Sequence, residues 1–424
     1  MKQYFMRSLC SLALLLCIYV ATAPAASAYG VLSHQAIVDA TWEKELKPLL
    51  KKKYPSVTDD ELKTAHAYAY GGAILQDMGY FPFGSKFFTD LLHYVRSGDF
   101  VQNLLLEATD VNEYAFALGT LAHYNADIYG HSLGTNKAVA IVYPELKQEF
   151  GNTITFADHP VSHVKTEFGF DVLQIARGNY APEAYQRFIG FEVAKEPLER
   201  AFLKTYGLEL GDVFVSVPLA VGTYRYTIKN LMPDLTRAAW KAKEHEIKDA
   251  KLGVSRRDFV YRMSRAKYHS NWGNNYERPG FFTRIWAWII RISPKVGPLQ
   301  SLGFAMPTPE AEQLFYKSFN ATVSNYGSVL KQLRSSDSKM ENLQLDTGKP
   351  TAPGEYKLTD ETYLTLLEKL DKSNYKHLTP QLQQHMLQFF KANKPAEKEQ
   401  DKEEMKEAKE ALQRLKAHQQ AVQR

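Results

Sequence analysis

Residues 123–131, HYNADIYGH, decide the fold and the chemistry predicted for this chain. On an α-helix, positions four and eight residues apart lie nearly above one another, so His123, Asp127 and His131 share one face. Burying three such groups on an otherwise apolar helix is costly unless a partner satisfies them. A metal ion is such a partner, because imidazole and carboxylate are its natural ligands. The segment therefore predicts a helix that carries metal ligands; three hydrogen-bonded core side chains are the alternative interpretation.

The sequence around this segment predicts an all-α (mainly α-helical) protein. The long helix is predicted over 110–132, ending near Gly134. A capping-box pattern at 58–61 starts a helix that runs through Ile74. Further helices are predicted at 87–95, 160–176, 182–193, 218–249 and 307–333, with two short ones within 358–390. Strand patterns are sparse, at 153–156 and 212–217, and residues 335–354 are polar and linker-like.

A second helix repeats the ligand pattern. His163 and Glu167 are four residues apart and share a face of the helix predicted to begin at Pro160. His159 precedes that proline and is expected to cap the helix, so we exclude it as a ligand. Taken alone, the pair of His163 and Glu167 is a weak signal, because such pairs are common on helix surfaces.

Two further candidate ligands lie upstream. Asp77 ends an apolar helical run where a charge is unexpected, and His93 lies in the helix predicted at 87–95. Taken alone, each is more often a helix cap or a hydrogen-bonded core side chain than a metal ligand. They become informative only in combination with the other histidines.

Residues 1–28 have the pattern of a secretory signal peptide. Lys2 and Arg7 precede an apolar run at 9–20 that is too short to span a bilayer comfortably, and residues 26–28 form a small-x-small cleavage site. A lipoprotein signal is the alternative, but leucines stand immediately before the second cysteine, where small residues are expected. We therefore expect an exported protein that is either periplasmic or secreted.

Cleavage after Ala28 leaves a mature chain that begins at Tyr29 and has no cysteine, since both of the 2 Cys lie in the leader. Structural disulfides, a thiol nucleophile and cysteine metal sites are thereby excluded. The freed amine and the carbonyl of Tyr29 can chelate a metal, and His34 completes the site. Removal of Lys2 and Arg7 with the leader leaves 50 basic and 47 acidic residues, a net charge of +3, which is too balanced to indicate non-specific nucleic-acid binding, so no stable nucleic-acid partner is expected.

Together these residues resemble the zinc-dependent phospholipase C family, in the superfamily shared with single-strand-specific zinc nucleases. Members use, in order, an N-terminal aromatic residue, a His, an Asp, a His, a His-x-x-x-Asp segment followed by a His, and a His-x-x-x-acid pair. The chain matches that order between residues 29 and 167. Each fragment is weak alone, whereas the order and number of matches make the resemblance specific.

The resemblance implies a mainly helical fold that holds three zinc ions. The implied ligands are Asp77, His93, His123 and Asp127 for the first zinc; His131, His163 and Glu167 for the second; and the Tyr29 amine and carbonyl, His34 and a bridging Asp127 for the third. Two cations that share one carboxylate can lie close enough to clamp a single phosphate.

Some positions depart from the family pattern. Tyr29 replaces the usual Trp, which matters little because the amine is the ligand, and fewer residues than usual separate Asp127 from His131. Leu32 stands where an acid is expected, and Met78 stands where a Tyr is expected. A preference for phosphatidylcholine is therefore not implied.

Such a centre is suited to phosphodiester hydrolysis. Zinc lowers the pKa of bound water toward about 7 and neutralises charge on the phosphate, so no protein nucleophile is needed. The resemblance implies that Asp77 accepts the proton of the attacking water. The alternative, that Asp77 is only a ligand and the metals alone activate the water, is equally open.

The composition changes after residue 254. The aromatic run Phe281–Ile292 pairs Trp286 and Trp288 with two arginines, which suits a lipid–water interface. Docking of a C-terminal extension onto the main domain is the interpretation that we favour, and peripheral membrane contact is the alternative. The tail at 394–424 is rich in charged residues and is expected to be a solvated helix or disordered.

The sequence therefore predicts a signal peptide (1–28), a zinc-dependent phospholipase C-like domain (29–254), a helical C-terminal extension (255–393) and a charged tail (394–424). The predicted function is hydrolysis of phospholipids or other phosphodiesters by metal-activated water. A zinc-dependent nuclease or nucleotidase is one alternative. A zinc-stabilised, non-catalytic module that binds a membrane or a partner is the alternative from another class.

Overall fold

A computed structural model of the chain describes residues 30–180, 191–228, 232–250, 303–334, 339–392 and 409–417. This part of the chain is mainly helical and its one described sheet is a two-stranded hairpin, which confirms the all-α prediction. The leader, Tyr29 and the aromatic run Phe281–Ile292 lie outside the described residues. Among the described residues, no helix has both the length and the apolar composition needed to cross a bilayer.

The helices are α1 (Val31–Thr41), α2 (Lys47–Lys53), α3 (Asp59–Gly72), α4 (Lys86–Tyr94), α5 (Ser97–Glu107), α6 (Val111–Tyr129), α7 (Asn136–Val142), α8 (Pro144–Phe150), α9 (Pro160–Arg177), α10 (Lys195–Tyr206), α11 (Val217–Tyr226), α12 (Met232–Ala250), α13 (Pro309–Leu333), α14 (Lys357–Lys372) and α15 (Pro380–Ala392). The shorter elements are 3₁₀ turns at Leu75–Tyr80 and Leu210–Asp212 and π-helical turns at Trp42–Leu46 and Gly130–Thr135. Strands β1 (Leu343–Gln344) and β2 (Lys349–Pro350) pair antiparallel as a hairpin.

Helix α6 lies in the core of the fold. Asp110 caps its start by accepting hydrogen bonds from the backbone of Asn112 and Glu113. Every residue from Tyr114 to Ile128 is buried, as expected of a helix that neighbours surround. Polar side chains on this helix must therefore find partners inside the protein.

Helices α3 and α6 cross at very close range. A Cβ added to Gly119 of α6 would lie 2.0 Å from the carbonyl oxygen of Ala69 in α3. Only glycine allows that approach. The crossing brings the 3₁₀ turn that follows α3 next to the polar face of α6.

The predicted end of the long helix near Gly134 is wrong. The α-helical part stops at Tyr129, a π-helical turn covers Gly130–Thr135, and the chain continues directly into α7. In a π-helical turn each amide donates to the carbonyl five residues earlier, one residue further than in an α-helix. The side chains that follow therefore point in a different direction. His131 lies in this turn.

Both predicted strands are absent from the described structure. Residues 153–156 are irregular, and their alternation arises because Ile154 and Phe156 anchor a loop in apolar surroundings. Residues 212–217 run from a 3₁₀ turn into the start of α11, with Val215 fully exposed. Short apolar alternation alone does not distinguish an anchored loop from a strand.

The other helix predictions differ in detail. The capping box of Thr58 and Glu61, the start of α9 at Pro160 and the two helices within 358–390 are confirmed. The predicted helix at 182–193 falls largely on residues outside the described part; residues 191–194 are not helical, and the unpredicted α10 follows them. The predicted helix at 218–249 corresponds to α11 and α12.

The described C-terminal segments pack into the same core as the N-terminal helices. Tyr326 of α13 donates a hydrogen bond of 2.8 Å to the carbonyl of Leu118 in α6. Phe315, Leu345 and Leu366 belong to one hydrophobic cluster with Leu118. The polar stretch predicted as a linker contains the β1–β2 hairpin, which lies beside α4. The division of the chain at residue 254 stays a prediction.

Candidate metal centre

The structure brings the described members of the predicted ligand set into one buried cluster. They come from α1 (His34), the 3₁₀ turn after α3 (Asp77), α4 (His93), α6 (His123 and Asp127), the π turn (His131) and α9 (His163 and Glu167). Each is at most 3 % exposed. Tyr29 lies outside the described residues, so the structure does not place its amine.

Three groups within this cluster have ligand atoms within 4.8 Å of one another. The groups are Asp77, His93 and His123; His34, His123 and Asp127; and His131, His163 and Glu167. They correspond to the three zinc sites implied by the resemblance, except that the group of Asp77, His93 and His123 lacks Asp127 and that Tyr29 is not described.

Asp127 lies at the centre of the cluster and presents its two oxygens to different histidines. Oδ1 is 3.6 Å from His34 Nε2. Oδ2 is 3.1 Å from His123 Nε2 and 3.2 Å from His93 Nε2. This division is the arrangement expected of a carboxylate that bridges two cations.

The backbone orients two of these imidazoles. His93 Nδ1 lies 2.9 Å from the carbonyl of Thr89, and His123 Nδ1 lies 3.0 Å from the carbonyl of Ala73. A carbonyl can only accept, so each Nδ1 carries the proton and the neutral ring turns the lone pair of Nε2 toward Asp127. The Nε2 lone pair of each ring and the Asp127 carboxylate are then acceptors that face each other. A cation bound between them would be coordinated by both. Metal-binding histidines are oriented by such backbone bonds.

The distances also fit zinc. Ligand atoms bound to one tetrahedral zinc at about 2.0–2.1 Å lie about 3.3–3.4 Å apart. The contacts of Asp127 with His123, His93 and His34 span 3.1 to 3.6 Å. His93 Nε2 is also 3.6 Å from Asp77 Oδ1. The donor set of imidazoles and carboxylates therefore suits zinc in both spacing and chemistry.

Without a cation, the cluster would have to hold protons instead. Burial alone would lower the pKa of His93, but the hydrogen bond and charge of Asp127, together with Asp77 and Asp346, raise it to about 9. Burial disfavours a charged Asp127, yet His123 and His93 hold its pKa well below the usual range. A protonated His93 beside an ionised Asp127 has the charge balance that a bound metal would otherwise supply.

The second ligand group contains an asparagine that the sequence did not indicate. His163 Nδ1 is 2.7 Å from Glu167 Oε1, and its Nε2 is 2.8 Å from Asn136 Oδ1. Asn136 donates through Nδ2 to the carbonyl of Asp346, which leaves its oxygen to accept from Nε2. Asn136 thus directs the lone pair of His163 Nδ1 toward Glu167. Burial raises the pKa of Glu167 well above its usual range.

Asp346 was also missed by the sequence reasoning. It follows β1 in the stretch interpreted as a linker, yet it is 2 % exposed, and its Oδ1 lies 3.6 Å from His131 Nε2. The Asp346-Thr347-Gly348 pattern signals a turn. Nothing in that pattern indicates that the turn inserts into the core far from its place in the sequence.

A third residue outside the prediction, Asp171, anchors the start of α1. Its carboxylate accepts hydrogen bonds of 3.0 Å from the amides of Leu32 and Ser33 and one of 2.6 Å from Ser33 Oγ. Burial raises its pKa to about 7 although these bonds favour the ionised form. The carboxylate supplies acceptors for free amides of the first turn, one and two residues before His34.

We expect Gly30→Ala to destabilise this anchor. A Cβ on Gly30 would lie 2.0 Å from Asp171 Oδ2, and the carboxylate cannot move without losing its bonds to α1. The free energy of unfolding should fall by about 1–3 kcal/mol, as in other overpacked sites. Thermal denaturation measures this loss. Gly211→Ala is the matched control, because a Cβ there meets no atom within 4 Å; equal melting temperatures for the two variants would contradict the anchor.

His159 caps α9, as its position before Pro160 predicts. Its Nδ1 accepts a hydrogen bond of 3.2 Å from the amide of Ser162. The ring therefore serves the helix end, and the exclusion of His159 from the ligand set agrees with this contact.

Comparison with known proteins gives one match. Residues 33–214 match a family model described as zinc dependent phospholipase C. No curated protein and no solved structure matches the chain significantly. The matched segment includes every predicted ligand except Tyr29 and ends before Asp346.

Proposed function

We propose that the protein is an exported, zinc-dependent hydrolase of phospholipids, because residues 33–214 match the zinc-dependent phospholipase C family model. The observation that carries the proposal is the division of Asp127 between His34 on one oxygen and His93 and His123 on the other. A bridging carboxylate holds two cations at the separation that suits one phosphate group.

The ligand assignment follows the three groups of the cluster. We assign Asp77, His93, His123 and Asp127 to the first zinc; His131, His163 and Glu167 to the second; and His34, Asp127 and the Tyr29 amine and carbonyl to the third. Bound zinc would supply a water activated near neutral pH and positive charge for the phosphate oxygens.

The chain's own residues orient this chemistry. Thr89 and Ala73 hold the rings of His93 and His123 through their carbonyls. Asp77 lies beside His93, where we propose that it accepts the proton of the attacking water. Hydrolysis then adds water across the phosphorus–oxygen bond to the glycerol and yields diacylglycerol and a phosphorylated headgroup.

The N-terminus is part of the proposed centre. We propose cleavage after Ala28, because only a freed Tyr29 amine can chelate a metal beside His34. Asp171 holds the first turn of α1 in place, which supports a defined position for the residues just before it. N-terminal sequencing of the exported protein should give Tyr-Gly-Val-Leu, and a start elsewhere would remove the third zinc site as proposed.

The burial of the ligands favours a second candidate function. Side chains that are at most 3 % exposed resemble those of closed, structural zinc sites more than those of open catalytic ones. A zinc-stabilised module that binds a membrane or a partner is therefore the second candidate.

Hydrolysis by the purified exported protein tests the proposal. The substrates are vesicles of mixed phosphatidylcholine, phosphatidylethanolamine and phosphatidylglycerol, with single-stranded DNA as the competing substrate. We expect release of diacylglycerol, loss of activity with a chelator and recovery with added zinc. Cleavage of DNA alone would instead indicate a nuclease, and bound zinc without any hydrolysis would favour the non-catalytic module.

A further inference from the structure

The β1–β2 hairpin inserts a carboxylate into the metal centre from outside the family match. Asp346 lies in the turn of this hairpin, and the amide of the preceding Leu345 donates a hydrogen bond of 3.1 Å to the carbonyl of His93. Ser97 of α5 holds Leu343 through two hydrogen bonds. The hairpin is thus attached directly to α4, which carries the predicted ligand His93, and to the neighbouring α5.

The two oxygens of Asp346 have different surroundings. Oδ2 accepts hydrogen bonds of 2.8 Å from the Tyr94 hydroxyl and 2.5 Å from the Tyr356 hydroxyl. Oδ1 lies 3.6 Å from His131 Nε2, within the range found between the other candidate ligands. The tyrosines therefore orient the carboxylate so that one oxygen faces a predicted zinc ligand.

A second connection joins the hairpin to the same ligand group. Asn136 donates to the carbonyl of Asp346 and contacts His163 Nε2 with its own oxygen. The rings of His131 and His163 are stacked with their centroids 4.9 Å apart. Asp346 thus approaches His131 through its side chain and His163 through its backbone and Asn136.

We propose that Asp346 is a further carboxylate ligand of the zinc held by His131, His163 and Glu167. Those three side chains leave one position of a tetrahedral zinc open, and a carboxylate oxygen is a usual zinc ligand. The C-terminal segment then completes a metal site that the matched domain carries only in part. The proposal rests on the zinc centre of the proposed function, but its test needs no hydrolysis.

Zinc binding by Asp346→Asn in the full exported chain tests this role. Asparagine keeps the size of the side chain and an oxygen that can accept from the tyrosines, but it loses the charge. We expect the variant to keep its helical circular dichroism and to bind one zinc fewer per chain, or to bind one zinc at least about 10-fold more weakly against a chelator. Asp371→Asn is the matched control; it makes the same substitution in the same C-terminal segment, where the carboxylate pairs with Arg414 and not with a predicted ligand, and it should keep the wild-type zinc content.

A double variant separates ligation from a structural role. If Asp346 and His131 bind the same zinc, Asp346→Asn, His131→Ala and the double variant should each lack the same single equivalent. Zinc content and affinity of Asp346→Asn equal to those of the wild type would overturn the proposal. A wild-type protein that binds no zinc would overturn the proposed function as well, so the two failures are distinguishable.

A measurement on the wild type keeps the test valid if the variants do not fold. Removing zinc should speed amide hydrogen exchange of the hairpin at 343–350 at least about 10-fold relative to α14, because the carboxylate loses its cation. Equal exchange of the hairpin with and without zinc would contradict ligation by Asp346.

Discussion

Asp127→Asn should abolish zinc binding at two sites and lower hydrolysis at least about 100-fold, because changing even the outer partners of metal ligands costs about 10–100-fold. The carboxylate lies within 3.6 Å of His34, His93 and His123 and is fully buried. An amide has the same shape but offers only one acceptor and no charge, so it cannot bridge two cations.

Zinc content and turnover of the Asp127→Asn protein provide the measurement. Asp90→Asn is a suitable control, because Asp90 is a buried carboxylate on α4 that pairs with Lys86 and not with a predicted ligand. We expect that control to keep its zinc. An Asp127→Asn protein with full zinc content and full activity would show that Asp127 bridges nothing.

Asp77→Asn should lower kcat about 10²–10⁴-fold even when zinc is saturating, if Asp77 is the general base. The carboxylate lies 3.6 Å from His93 Nε2 and within the first ligand group. This position is compatible with Asp77 as a general base and with Asp77 as a zinc ligand. A loss of activity alone therefore does not separate the two roles.

A zinc titration of the Asp77→Asn protein separates them. A residue that only binds zinc should lose affinity, and its activity should return as zinc is added. A base should leave kcat low at every zinc concentration. Recovery of wild-type kcat at saturating zinc would therefore assign Asp77 as a ligand and contradict its role as the base.

Local spacing in the sequence was enough to predict much of the centre. His123 and Asp127 are one helical turn apart, and burial of α6 on all sides places them in the core together. His163 and Glu167 share the inner face of α9 for the same reason. Where a helix carries two candidate ligands, periodicity alone determines their relation.

The missed residues depend on contacts between distant segments. Asp346 lies in a hairpin that has no helical periodicity, and it reaches His131 only because the turn inserts beside α4. Asn136 follows a π turn, which changes the side-chain directions that an α-helical reading predicts. Asp171 meets the start of α1 through tertiary packing. No local pattern encodes these approaches.

The wrong strand predictions have a related cause. Ile154 and Phe156 alternate because a loop needs two apolar anchors, and the amide of Ile154 bonds to the carbonyl of Asn136 rather than to a strand. Residues 212–217 alternate across the boundary between a turn and α11. Both runs are too short for periodicity to decide.

Counting zinc in the purified exported chain tests the central claim most directly. Elemental analysis after dialysis should find three zinc ions per chain, because the cluster contains three groups of candidate ligands. A protein that is folded and helical but retains one zinc or none would contradict the metal centre and the hydrolysis derived from it.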